Sequence, residues 1–223
     1  LCIGPLTNLA VALEREPALP RLLRRVVIMG GAFRVPGNTT PVSEWNIHCD
    51  PEAARAVLQA WSAAIEADPS VARLLILGLD VTEQAIIRPD SIVALARGED
   101  PMRTERSVAS NPVVRFVADA LRFYMEFHAK YDGFYGAFIH DPLAAAVALD
   151  ESLAQTQAVA VDVETGGELA SGQTIADFRG LWHRAPNTDL VLRADVDEFL
   201  ARLTERVGSL AERVAAEHSN VAP

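Results

Sequence analysis

Short apolar runs alternate along this chain with longer stretches whose apolar residues recur at helical spacing. In "LTNLAVALEREP", Leu6, Leu9, Ala10 and Leu13 form one helical stripe that Pro17 ends. "RRVVIMGG" reads as a buried strand stopped by glycines, and "VARLLILGLDVT" as another. "DPEAARAVLQAW" carries helix-start signals, with Asp50 as N-cap, Pro51 at the first helical position and Glu52 in the first turn. A long amphipathic helix begins near Asn111, and Asp141 and Pro142 introduce a short one. "QAVAVDVETGGELASGQTIADF" alternates around "TGGE" as a hairpin does, and "DVDEFLARLTERVGSLAERV" reads as a charged helix interrupted at Gly208. Strand–helix alternation with short buried strands predicts an α/β fold, a mostly parallel sheet flanked by helices. No repeat, low-complexity tract or linker divides the chain, so a single domain over residues 1–223 is expected.

Composition narrows the function classes. Half the residues are hydrophobic and 22% are charged, an ordinary globular balance. A net charge of −10 argues against a general partner for nucleic acid or an anionic membrane, either of which needs a basic face. The apolar runs, such as Leu74 to Leu79, are too short to span a bilayer. Two cysteines, Cys2 and Cys49, make neither a disulfide framework nor a metal finger, and a reducing, cytoplasmic setting is expected. Residue 1 is Leu, and "LCIGPLTN" reads as the end of a strand entering a loop, so N-terminal truncation is expected.

In α/β sheets of this kind, ligands bind beyond the carboxyl ends of the strands. Three polar loops stand out: "GPLTN", "MGGAFRVPGNTTPVSEWNIHCD" and "DGFYGAFIHDP". In the second, Glu44, Asn46 and His48 alternate with Trp45, Ile47 and Cys49. An extended backbone would put the polar three on one face and the apolar three toward the core. A carboxylate beside an amide suits vicinal sugar hydroxyls, which offer donors and acceptors together. The alternative is a solvated edge segment in which Asn38 and Asn46 serve turns. Asp141 reads either as a helix N-cap or as an oxygen ligand for a hard cation, and His140 as a general acid titrating near neutrality. His128, His183 and His218 rank lower, His128 near the end of the long helix and the other two at the surface. No nucleophile elbow, phosphate loop or dinucleotide fingerprint occurs.

"GPLTNLAVAL", "VVIMGGAF", "PGNTTPVSEWNIHCDPEAA" and "FIHDPLAAAVAL", in that order, resemble the inosine/uridine-preferring nucleoside hydrolases, as do "GLDVT" and "SGQTIAD". The resemblance implies that family's open α/β fold and hydrolysis of the N-glycosidic bond of ribonucleosides to base and ribose. It implies a Ca²⁺ ion holding the ribose diol and the attacking water, and a homodimer or homotetramer. Asn38, Glu44 and Asn46 match ribose-binding positions, and Met29 matches a residue near the sugar that acts through its backbone. Asp141 matches a calcium ligand, Ile3 a position offering its carbonyl to the metal, and His140 the histidine proposed to protonate the departing base. Tyr131 and Tyr135 are candidates for stacking on the base, with covering the core edge as the alternative. Trp45 stands where the family more often has Phe, and packing beneath the loop is expected of it. His48 stands at a commonly aromatic position and carries no assigned role.

One departure weighs on all of this. The family's hallmark aspartate cluster, D-x-D-x-x-x-D-D, occurs nowhere in the chain. Most of the metal's carboxylates and the water-activating base are therefore lacking, and this chain alone is expected to be inactive. The competing reading is a non-catalytic ribose- or nucleoside-binding protein that keeps the sugar loop.

Overall fold

The computed structural model describes residues 1–97 and 109–219. In chain order its helices and strands are α1 (Thr7–Arg15), α2 (Leu19–Leu22), β1 (Val27–Met29), α3 (Trp45–Cys49), α4 (Pro51–Ala67), β2 (Leu74–Leu77), α5 (Leu79–Thr82), β3 (Ile86–Ile87), α6 (Pro89–Leu95), α7 (Pro112–Tyr131), β4 (Ala137–Phe138), α8 (His140–Leu149), β5 (Ala154–Val163), β6 (Thr174–Asp177), β7 (Thr188–Ala194) and α9 (Val196–Ser219). They fall into two compact units, Leu1–Gln84 with His140–Ala194, and Ala85–Ile139 with Asp195–Pro223.

The first unit is built on a five-stranded sheet ordered β1-β2-β7-β5-β6. The expected α/β architecture is present: β1, β2 and β7 run parallel, and β5 and β6 extend the sheet antiparallel. β1 and β2 are buried at every position, as their unbroken apolar runs require of strands covered on both faces. β7, absent from the sequence reading, holds the centre by pairing β2 on one side and β5 on the other. The hairpin around "TGGE" forms, but its loop extends from Glu164 to Gln173 before Val163 meets Thr174.

Leu6, which precedes α1, and Leu13 within it are buried with Leu9 and Ala10 beside them, and α4 lays Val57, Leu58, Trp61 and Ile65 on the same core. Trp61 is 1% exposed, and its indole Nε1–H donates to the Ala72 carbonyl at 3.2 Å. Asp50 caps α4 as read, accepting from Ala53 N at 3.0 Å, and Thr7 Oγ1 donates to its other oxygen. That bond ties the start of α1 to the start of α4.

In the second unit, β3 and β4 form an antiparallel pair, and α6, α7 and α9 enclose a small core of Leu95, Ala96, Ala109, Val114 and Ala211. Asn111 caps α7, accepting from Val113 N and Val114 N. Helix α9 is not interrupted at Gly208; it continues through it. A Cβ at that position would lie 3.2 Å from the Leu95 carbonyl oxygen, so the glycine permits close packing of α9 on α6. His128 lies in the last turn of α7, as expected, and is buried: Asp132 binds its Nδ1 at 2.6 Å and Phe134 stacks on its ring. Tyr131 is 63% exposed and packs on Phe127, Tyr135 is 40% exposed, and His183 is exposed. The side chain of His218 lies outside the described residues.

If Trp61 anchors the first unit's core, Trp61→Ala should lower unfolding free energy by about 3–5 kcal/mol in urea denaturation followed by circular dichroism. A loss below about 1 kcal/mol would contradict that packing.

Candidate active site

The residues matched to sugar, metal and acid roles all lie in the first unit, and most gather at the carboxyl end of β1, whereas Tyr131 and Tyr135 belong to the second unit. Cys2 bridges to Ile28, its N–H donating to the Val27 carbonyl at 2.8 Å while its carbonyl accepts from Met29 N at 2.9 Å. This parallel bridge brings Ile3 to the strand end beside Met29. The chain then turns at Gly30 and Gly31: Gly30 N donates to Leu77 O at 2.9 Å, and Gly31 O accepts from Leu79 N at 2.8 Å. Gly31 has φ +87, and a Cβ there would sit 3.0 Å from Thr174. Only glycine meets both conditions without strain.

The loop beyond does not adopt the expected extended form. Residues Trp45–Cys49 form helix α3, with Glu44 as its N-cap. Glu44 is 2% exposed; its Oε1 accepts from Asn46 N at 2.9 Å, and its Oε2 from Gly31 N at 3.0 Å and Ile47 N at 3.2 Å. A carboxylate that takes the free N–H groups of a first turn favours helix over strand at the next residue. The polar and apolar side chains consequently do not sort onto two faces. Asn46 and Ile47 are both buried, Cys49 is exposed, and Trp45 is 58% exposed instead of packing beneath the loop. His48 is half-buried on the same helix.

The three loop residues meet nonetheless. Asn46 Nδ2 donates to the Met29 carbonyl at 3.1 Å and touches Met29 Sδ at 3.4 Å, so the backbone of Met29 is engaged directly. Asn38 is exposed, and its Oδ1 accepts from Trp45 N at 2.9 Å. Among the described residues, Asn46 Oδ1 and Asn38 Nδ2 have no protein partner, leaving one acceptor and one donor. Glu44 has three of its roughly four acceptor positions occupied.

Burial raises the Glu44 carboxyl above its ordinary range, outweighing three lowering backbone bonds, and the charge of nearby Asp141 adds a smaller push in the same direction. Burial also raises Asp141 itself. His140 opens α8 and its Nδ1 lies 2.8 Å from Thr82 Oγ1. Among the described residues, no group of three or more His, Cys, Asp or Glu is placed to hold a metal ion.

Sequence reasoning passed over the residues that support these groups. Asp80 on α5 accepts from Phe33 N at 2.9 Å and Arg34 N at 2.8 Å, fixing the loop's first turn. Thr174 both accepts from Ala32 N and donates to Ala32 O, each at 2.9 Å. Ser43 Oγ donates to the Ser171 carbonyl at 2.7 Å. The motif "GLDVT" was the available signal for Asp80 and Thr82, but their partners lie far away in sequence.

The family model for inosine-uridine preferring nucleoside hydrolase matches residues 1–201. A pyrimidine-specific ribonucleoside hydrolase, RihA, of Enterobacter sp. (strain 638) is 38% identical over 212 residues, which cover 94% of this chain and 60% of the relative. The RihA of Citrobacter koseri is 38% identical over 210 residues, 93% of this chain and 60% of that one. Among solved structures, a purine-preferring ribonucleoside hydrolase from Gardnerella vaginalis superposes with TM-score 0.77 at 29% identity, covering 93% of this chain and 59% of the other. The plant nucleoside hydrolase PpNRh1 gives TM-score 0.76 at 27% identity, covering 92% and 60%. This chain thus spans about 60% of the length of the relatives it matches.

The raised Asp141 carboxyl has a consequence for stability. An acid whose folded pKa exceeds its unfolded value contributes stability that is full below the unfolded pKa and is lost as pH rises through the folded one. Asp141→Asn removes that loss. The variant should therefore be more stable than the parent at neutral pH in metal-free buffer, with the gap closing below the ordinary carboxylate range. Denaturation midpoints across pH measure this; a variant less stable at neutral pH would refute it.

Proposed function

Because the chain belongs to the inosine-uridine preferring nucleoside hydrolase family, we propose that its sugar loop binds the ribose of a ribonucleoside whose N-glycosidic bond the whole enzyme hydrolyses. The observation that carries this reading is the convergence of Glu44, Asn46 and the Met29 carbonyl at one strand end. A buried carboxylate with a spare acceptor position, an amide oxygen and an amide N–H suit adjacent hydroxyls, each of which both donates and accepts. Base preference is a further matter, since the relatives named above include pyrimidine-specific and purine-preferring enzymes.

Cleavage of an N-glycosidic bond develops positive charge on the sugar ring. In the proposed mechanism the Glu44 carboxylate, set beneath that ring, opposes the charge while holding a hydroxyl. His140 donates a proton or hydrogen bond to the departing base, which leaves poorly as an anion; a positioned acid contributes about 10²- to 10⁴-fold. The loop backbone, fixed by Asp80, Thr174 and Glu44, keeps these groups from reorganising as charge develops.

The calcium ion that the resemblance implies is tested against the donors present. A hard cation takes about six to eight oxygen ligands. Asp141 and the Ile3 carbonyl are suitable in type, but the described residues supply no cluster of three or more ligating side chains. The donors among the described residues therefore do not complete a calcium site, and no step is routed through the ion. On this ground the chain alone is proposed to lack turnover. That also favours, for this chain by itself, the second reading of a non-catalytic ribonucleoside binder, whereas the presence of both His140 and Asp141 favours the enzyme. The remaining proposals are a homodimer or homotetramer, from the resemblance, and a cytoplasmic location, supported by two free cysteines. No described helix is long and apolar enough to cross a membrane.

Titration of the ¹⁵N-labelled chain with inosine and uridine, with and without Ca²⁺, tests the proposal. Amide shifts should move at Gly31, Asn38, Asn46 and Asp141 and leave the α4 core unmoved, with no base released. Unmoved loop amides at millimolar nucleoside would defeat the sugar-site reading, whereas calcium-dependent base release would defeat only the claim of inactivity.

A further inference from the structure

We propose that Thr82 is a positioning residue for His140, holding its neutral imidazole as the tautomer that carries hydrogen on Nε2. The inference deepens the reading of His140 as donor to the departing base and rests on it for its functional meaning, though not for its geometry.

Thr82 is 0% exposed, so its hydroxyl has no access to bulk water. Threonines in helices commonly turn the hydroxyl back onto the carbonyl four residues earlier. Here that carbonyl, Gly78 O, already accepts Val81 N and Thr82 N, both at 3.1 Å. The hydroxyl's single hydrogen-bond partner among the described residues is His140 Nδ1 at 2.8 Å. A buried hydroxyl proton left without an acceptor is costly, and Nδ1 is the acceptor within reach. Were the ring's hydrogen on Nδ1, two donors would face each other or the hydroxyl proton would have nowhere to go. Nδ1 is therefore the accepting nitrogen and Nε2 bears the hydrogen, since a neutral ring carries one N–H. The neutral ring thus carries a hydrogen-bond donor on the side away from Thr82, suited to stabilising a departing base by hydrogen bonding; outright proton transfer would require the imidazolium, with both ring nitrogens protonated.

The placement of Thr82 on α5 adds a structural consequence. The same short helix carries Asp80, which binds the N–H groups of Phe33 and Arg34, and its first residue Leu79 donates to Gly31 O. One turn of chain therefore sets both the start of the sugar loop and the orientation of the histidine.

Ring ¹⁵N spectra of selectively labelled His140, taken where the imidazole is neutral, read the tautomer without substrate or metal. The parent and Thr82→Ser should show hydrogen on Nε2, and Thr82→Val should shift the tautomer ratio roughly fivefold toward the Nδ1–H form. Hydrogen on Nδ1 in the parent would overturn the proposal, as would an unchanged ratio in a Val variant whose amide spectrum is that of the folded chain. Should Thr82→Val fail to fold, Thr82→Ala decides by the same criterion: a ratio shifted toward Nδ1–H relative to the parent supports the proposal, and an unchanged ratio overturns it. Because the readout involves no turnover, it can hold while the acid role of His140 fails, or the reverse.

Discussion

A single buried carboxylate, that of Glu44, organises the candidate site. Its oxygens accept one N–H from the turn that leaves β1 and two from the first turn of α3. Removing a carboxylate from water is expensive unless its lone pairs are satisfied, and here backbone donors from two segments, Gly31 and the first turn of α3, occupy three of its acceptor positions. The loop between those segments has no regular structure of its own, so its shape follows from where these bonds close. The same constraint dictates glycine at position 31, where φ is positive and Thr174 stands against the α-carbon.

From this anchor the chemistry follows by short steps. Fixing the start of α3 points Asn46 at the Met29 carbonyl and leaves the amide oxygen for a ligand. Burial raises both Glu44 and Asp141, an arrangement that a stability-only design would avoid by placing neutral groups there. A buried acid that senses the charge of a half-buried one costs stability, and the packed sheet beneath carries that cost.

The parts of the fold legible in the sequence were those governed by neighbours in the chain. Asp50 before Pro51 and Asn111 before Pro112 are local capping signals, and both helices begin there. Continuous apolar runs marked β1 and β2 because strands covered on both faces need no alternation. Three features depended on distant contacts and were misread or missed. The segment after Glu44 was read as extended because alternation of Glu44, Asn46 and His48 mimics a strand; the bond from Gly31 that favours capping is invisible to a local pattern. Strand β7 is a short run whose role comes from pairing with β2 and β5. Gly208 looked like a break, but the Leu95 carbonyl packs where its side chain would be. As for the site, resemblance named Ile3, Met29, Asn38, Glu44, Asn46, His140 and Asp141, whereas Asp80, Thr82 and Thr174 lie in the motifs "GLDVT" and "SGQTIAD" but their roles come from contacts with residues distant in sequence.

Amide hydrogen exchange on the parent and Glu44→Ala is the most direct measurement of the central claim. Gly31, Asn46 and Ile47 should be protected in the parent, and the substitution should lower their protection by about 1–3 kcal/mol while Leu75 and Ile76 in β2 change little. Equal protection at the three amides in both proteins, or a uniform loss across the sheet, would contradict the account.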